Sequence, residues 1–264
     1  MQLNAKRYGD AGPPLLILHG LFGSLSNWNW HSRQLGERFT VYALDLRNHG
    51  GSPHHELMDY PAMAGDVLRF MDDHGIAEAC ILGHSMGGKV AMQLALSHPE
   101  RVRCLLVADI APVDYSAARA AKEGHEEIFQ ALESIDPRTV SSREEADHGM
   151  AGLIPNEAVR KFLLANLVKS GPGGFRWRFN LPALKQNYDA LRAKPVGTTP
   201  FDKPTLFIKG ADSHYIGEEH RDAIMALFPR AELKIIMGAG HWLHADKPPT
   251  FNKVVSDFLD REAP

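Results

Sequence analysis

Six short apolar runs recur along the chain and most constrain its fold: "LLILHG" (15–20), "TVYALDL" (40–46), "ACILGHS" (79–85), "RCLLVADI" (103–110), "PTLFIKG" (204–210) and "ELKIIMGAG" (232–240). Their length and unbroken hydrophobicity are those of strands buried on both faces. Helical periodicity fills much of the space between them. In "YPAMAGDVLRFMDDHG", Met63, Val67, Phe70, Met71 and His74 share one face, and Gly75 supplies the stop. Residues 86–98, closed by Pro99, repeat the pattern, as do 216–228 and 249–260. Strand–helix alternation predicts an α/β fold with a mostly parallel sheet covered by helices on both faces. Such sheets bind ligands beyond the carboxyl ends of their strands. The Gly, Asp, His and Ser residues that end these runs therefore converge on one rim.

The rhythm breaks between residues 113 and 199. That stretch holds an Ala/Glu-rich helical segment, the acidic "SREEAD" and "KSGPGGFRWRFNLP", with no buried-strand run. It predicts a helical cap inserted into a core made of 1–112 and 200–264. A chain of 264 residues buries a large core without disulfide or metal staples. Cys80 and Cys104 sit in apolar runs and read as buried free thiols, and no C-x-x-C or zinc spacing occurs. A formal net charge of -3 gives no attraction to nucleic acid or anionic membrane. No run approaches the ~20 apolar residues that span a bilayer, and "LLIL" is too short for a secretory core. The expectation is a cytoplasmic chain with no nucleic-acid or membrane partner. Its oligomeric state is not legible.

"GHSMG" (83–87) places Ser85 at the end of a strand run and the start of a helix. G-x-S-x-G in that context is a nucleophile elbow: a strained turn lifts the hydroxyl above the sheet, and the glycines avoid clashes with neighbouring backbone. The helix that follows points its positive end at a developing oxyanion. Serine needs a base. In "GAGHWLHADKPP", His241 follows the last strand run directly, whereas His244 falls in the turn before the last helix with Asp246 and Pro248. The chain order Ser, acid, His favours His241. A carboxylate must then fix the imidazole tautomer. Asp109 and Asp212 both end strand runs between Ser85 and His241, so either qualifies. Asp45 precedes the serine and reads as structural, and Asp114 is a weaker candidate. An oxyanion hole needs two backbone N–H groups. Met86 supplies one, and the loop "HGLFGS" the other, from Leu21 first and Phe22 second, with His19 and Gly20 shaping the loop.

"HGLFGS", "DLRNHGGSP", "GHSMGGK", "DIAPVDY", "WRFN" and "GAGHWLHADKP" together resemble the YbfF-type esterases of the α/β-hydrolase superfamily, from about residue 15 to the C-terminus. The resemblance implies an eight-stranded core with a small helical cap. It also implies hydrolysis of short-to-medium acyl esters or thioesters without metal or cofactor. Members of that family carry Asn at the position of Asp212, followed by the same Ser, which implies that Asp109 is the acid here. In the wider superfamily the acid more often sits where Asp212 is. Ser213 is a candidate to help hold the histidine.

Phe22 and Met86 flank the reaction centre as pocket candidates. Trp177 and Phe179 are candidates for an acyl pocket, with Arg176 and Arg178 on the opposite face of an extended segment. Ordinary cap packing is the competing role for all four. Lys89, one turn past Ser85, reads as structural or surface. The same machinery serves carbon–carbon bond hydrolysis and perhydrolysis. A non-catalytic receptor on the same fold is the rival of a different class.

Overall fold

In a computed structural model of the chain, which describes residues 1–116, 119–171, 174–197 and 199–263 (side chains of 119–124 excepted), seven strands form one sheet. They are β1 (Ala5–Tyr8), β2 (Pro14–Leu18), β3 (Thr40–Leu44), β4 (Ala79–His84), β5 (Val102–Ala108), β8 (Thr205–Gly210) and β9 (Ala231–Ile236). β6 (Leu167–Lys169) and β7 (Phe175–Trp177) make a separate antiparallel hairpin. The order in the sheet is β1-β3-β2-β4-β5-β8-β9, parallel throughout except for β1 against β3. β2 therefore lies between β3 and β4, and the chain passes first to one side of it and then to the other. That reversal opens a crevice at the carboxyl ends of β2 and β4.

Alternation along the strands feeds two cores. On β4, Ala79 and Ile81 pack with α2 (Tyr60–Asp73) and α3 (Met86–Ser97), while Cys80 and Leu82 pack with Leu35, Phe251, Phe258 and Leu259 on the other face. Those four belong to α1 (Asn29–Leu35) and α11 (Pro248–Glu262), the latter reached through the short α10 (Leu243–Asp246). α2 starts where its sequence says it should: Asp59 caps it by accepting from the Ala62 N–H at 2.8 Å. Cys80 and Cys104 are free, buried and paired in register across β4 and β5.

Two expectations need correction. The sheet has seven strands among the described residues, where the resemblance implied eight. β1 occupies the free edge of β3, and its exposed Lys6 and Arg7 suit that edge to solvent and not to a further strand. The run at 232–240 was expected as a buried strand. It forms the opposite edge, with Leu233 and Ile235 about half exposed. The stretch 216–228 is helical only in a short turn and in α9 (Arg221–Leu227).

Between β5 and β8 the chain builds α4 (Arg119–Ser134), α5 (Arg143–Met150), α6 (Glu157–Leu164), the β6–β7 hairpin, α7 (Leu181–Gln186) and α8 (Tyr188–Arg192). This segment contacts the loops at the strand ends: Phe129 and Phe179 meet Phe22 edge-on at 5.4 Å, and Phe162 meets Trp242 at 5.9 Å. Among the described residues no helix is long and apolar enough to cross a membrane.

Candidate active site

Ser85 has φ 51° and ψ -117°, a conformation few non-glycine residues adopt, and it joins β4 to α3. Its N–H donates to Ala108 O at 2.9 Å, and its carbonyl accepts from the Lys89 N–H at 3.1 Å. The neighbouring glycines are required. A Cβ on Gly83 would lie 2.2 Å from Gly87 O, and one on Gly87 would lie 2.4 Å from Leu18 O. The turn thus fits only because two side chains are missing.

The Ser85 hydroxyl faces His241. The Ser85 Oγ–His241 Nε2 distance is 3.0 Å, and His241 Nδ1 lies 2.8 Å from Asp109 Oδ2. Asp109 is fully buried, also at positive φ (54°). Its carboxylate accepts from the Gly210 N–H at 3.1 Å and from the Ser213 hydroxyl. Ser213 therefore holds Asp109 and not His241. Asp212 is exposed, and its backbone N–H is spent on Ala239 O at 2.9 Å. No described hydrogen bond joins its carboxylate to His241. The Tyr215 ring stacks on His241 at 4.1 Å.

Two more histidines pack beside this pair: the His84 ring lies 4.8 Å from that of His241 and 4.6 Å from that of His244. His84 donates from Nε2 to the His241 carbonyl at 2.8 Å, which pins the backbone of His241. His244 stacks on Trp28 at 4.5 Å. Burial keeps both neutral: it holds His84 well below its usual range and His244 down to about 3. Asp45 is structural. It accepts from the Leu25 and Gly51 N–H groups and from Asn4, each at 2.7 Å.

In the loop after β2, the Gly20 carbonyl accepts from the Gly23 N–H at 2.9 Å and from His19 Nδ1 at 2.8 Å. His19 Nε2 accepts from the Leu46 N–H at 3.0 Å, which sets the tautomer. The peptide plane then turns the Leu21 N–H away from those partners. The Phe22 N–H is already taken by His49 Nε2 at 3.1 Å. Leu21 is thus the loop donor left over. Met86 carries the first N–H of α3, which a helix cannot satisfy itself.

Two small cavities of about 40 Å³ each flank Ser85. One runs past Leu21, Phe22, Ile128, Val159, Phe162 and Trp242. The other runs past Met86, Ile110, Tyr60, Tyr115, Tyr188 and Tyr215. Trp177 and Phe179 line neither. They stack on each other at 5.3 Å behind Phe22, which corrects their expected place in an acyl pocket: the edge-on contact with Phe22 turns them into its backing. Arg176 is exposed, and Arg178 donates to Ala165 O. Among the described residues no cluster of three or more His, Cys, Asp or Glu is arranged to hold a metal.

Residues 13–248 match the family described as alpha/beta hydrolase fold. The chain belongs to that family. It is similar to "Esterase YbfF" of Escherichia coli (strain K12), 38% identical over 250 residues that cover 94% of this chain and 93% of that protein. It is 39% identical to "sn-1-specific diacylglycerol lipase ABHD11" of Xenopus laevis over 256 residues, 94% of this chain and 80% of that one. Among solved structures, "Marine microorganism esterase" overlays with a TM-score of 0.96 at 40% identity, covering 98% of this chain and 99% of that one.

His125 at this α/β-hydrolase site escaped the sequence reading, and Lys89, read as structural or surface, takes the structural role. His125 lines both cavities and pairs with the Tyr188 hydroxyl at 2.7 Å. It comes from α4, whose pattern reads only as a helix. Lys89 is buried, and its ammonium donates to Val113 O, Arg192 O and Ala193 O at 3.0, 2.8 and 2.5 Å. It ties together the stretches that enter and leave the 113–199 segment.

Proposed function

We propose that this α/β-hydrolase cleaves short-to-medium acyl esters or thioesters through an acyl-enzyme on Ser85. The observation that carries the reading is the hydrogen-bonded line from Ser85 Oγ through His241 to buried Asp109, at 3.0 and 2.8 Å. His241 Nε2 takes the serine proton as Oγ attacks the acyl carbonyl. The Leu21 and Met86 N–H groups receive the oxyanion. His241 then returns the proton to the leaving alkoxide or thiolate, and water repeats the cycle in reverse. The Gly210 N–H and the Ser213 hydroxyl both donate to Asp109 and hold its carboxylate against His241.

The names of the relatives, an esterase and a diacylglycerol lipase, support ester chemistry. The cavities beside Ser85, about 40 Å³ each, suit small acyl groups. A cytoplasmic setting and a small-molecule substrate, with no nucleic acid or membrane partner, belong to the same proposal and rest on the charge balance and short apolar runs.

The test is a panel of p-nitrophenyl esters from acetate to palmitate with matched thioesters, run beside fluorophosphonate labelling. Turnover should peak at short or medium chains and fall at palmitate. A folded protein that neither turns over any of them nor takes the label is a receptor, and the proposal fails.

A further inference from the structure

Phe22 sits in the oxyanion loop at φ 60°, a left-handed conformation that a bulky residue adopts only when its surroundings impose it. Its backbone is gripped from two directions. The N–H donates to His49 Nε2 at 3.1 Å, and His49 Nδ1 in turn donates to Arg47 O at 3.0 Å. The carbonyl accepts from Asn166 Nδ2 at 2.8 Å, and the same amide lies 3.4 Å from Leu163 O. His49 is fully buried and Asn166 nearly so. Burial holds the His49 imidazole neutral, down to about 3, so Nε2 stays an acceptor throughout the neutral range. The Phe22 ring is wedged between Phe129 and Phe179.

We infer that His49 and Asn166 clamp the Phe22 peptide groups and thereby position the Leu21 N–H for the oxyanion, making both of them positioning residues for the proposed reaction. Leu21 and Phe22 offer consecutive N–H groups, and only one can face the site. His49 occupies the second and so selects the first. Asn166 comes from the turn between α6 and β6, so the clamp also makes the 113–199 segment part of the oxyanion hole and not only a cover over it. Without Asn166, a buried carbonyl at a strained residue loses its donor, and the loop relaxes toward whatever satisfies it.

This rests on the serine-hydrolase reading, and the experiment separates the two. His49→Gln keeps an acceptor, while His49→Phe keeps a ring without one. Asn166→Asp removes the donor at constant shape, and Asn166→Leu removes it altogether. For each variant that melts within a few degrees of the parent, kcat, KM and the affinity for an acyl trifluoromethyl ketone, a tetrahedral mimic, are measured. Loss of one oxyanion donor costs on the order of 10²–10³ in kcat, and its misplacement should cost about 10- to 100-fold. The expected result is that fall for His49→Phe, Asn166→Asp and Asn166→Leu, with KM within about twofold and mimic affinity falling in parallel. His49→Gln should recover most of the loss. Should His49→Phe not fold, the Asn166 pair carries the test. Unchanged kcat in folded variants overturns the clamp, as does a kcat loss with unchanged mimic affinity or an effect on KM alone. An inactive, unlabelled parent protein overturns the hydrolase reading instead.

Discussion

At Asp109 the side chain has three partners and no solvent: His241, the Gly210 N–H and the Ser213 hydroxyl. Asp212 makes no described hydrogen bond to His241 and is open to water. The two carboxylates therefore differ sharply under the same substitution. Asp109→Asn leaves the shape but removes the charge that stabilises the imidazolium and favours the wrong tautomer, a change that costs a protease triad ~10⁴ in kcat. Asp109→Asn should lose several orders of magnitude and Asp212→Asn less than about threefold. Steady-state rates of the two folded variants decide this, and a crippled Asp212→Asn with a normal Asp109→Asn reverses the assignment. Strand position left both acids open, because each ends a strand on the same rim, and only the family resemblance favoured Asp109. What separates them is Ser213 turning toward β5 and the positive φ of Asp109, and neither leaves a mark in residue type.

At the element scale, backbone contact between β4 and α3 sets the elbow. Gly83→Ala places a methyl 2.2 Å from Gly87 O, which forces α3 off β4 and moves Ser85 with it. Esterase rate should fall at least about 100-fold, since displacement of ~1 Å at a reacting group costs that much. A Gly83→Ala protein with near-parental kcat contradicts the tight elbow. The elbow was legible because G-x-S-x-G demands backbone contact at known positions. β2, β4, β5 and β8 were legible because burial on both faces writes itself as an unbroken apolar run. β1 was not, since "AKRY" pairs on one edge only and keeps two charged residues in solvent. The place of Trp177 and Phe179 stayed open between an acyl pocket and cap packing for a related reason. An aromatic pair that backs a pocket residue has the same composition as one that lines the pocket.

Across the whole molecule, histidine burial couples folding to pH. His49 and His244 are pushed down to about 3 by burial, and His84 lies well below 6.5. The unfolded chain binds protons at these sites below pH 6.5, whereas the folded chain does not. Their stabilising contribution is therefore complete above pH 6.5 and drains away as pH falls toward 3. At pH 5 the loss is roughly 2 kcal/mol for each of His49 and His244, from the 1.36 kcal/mol that one pH interval represents. Thermal melts should give a steep fall in Tm between pH 6 and 4.5. A Tm unchanged down to pH 4.5 shows that these imidazoles are not held neutral.

Ser85 as the covalent nucleophile is tested most directly by rapid-quench mass spectrometry during turnover of p-nitrophenyl butyrate. The predicted result is a transient mass increase of one butyryl group on the peptide that contains Ser85, formed with a burst of p-nitrophenol and absent from Ser85→Ala, whose kcat falls by about 10⁶ as in a protease triad. An acyl group on any other residue, or a folded Ser85→Ala protein that hydrolyses the ester at the parental rate, contradicts it.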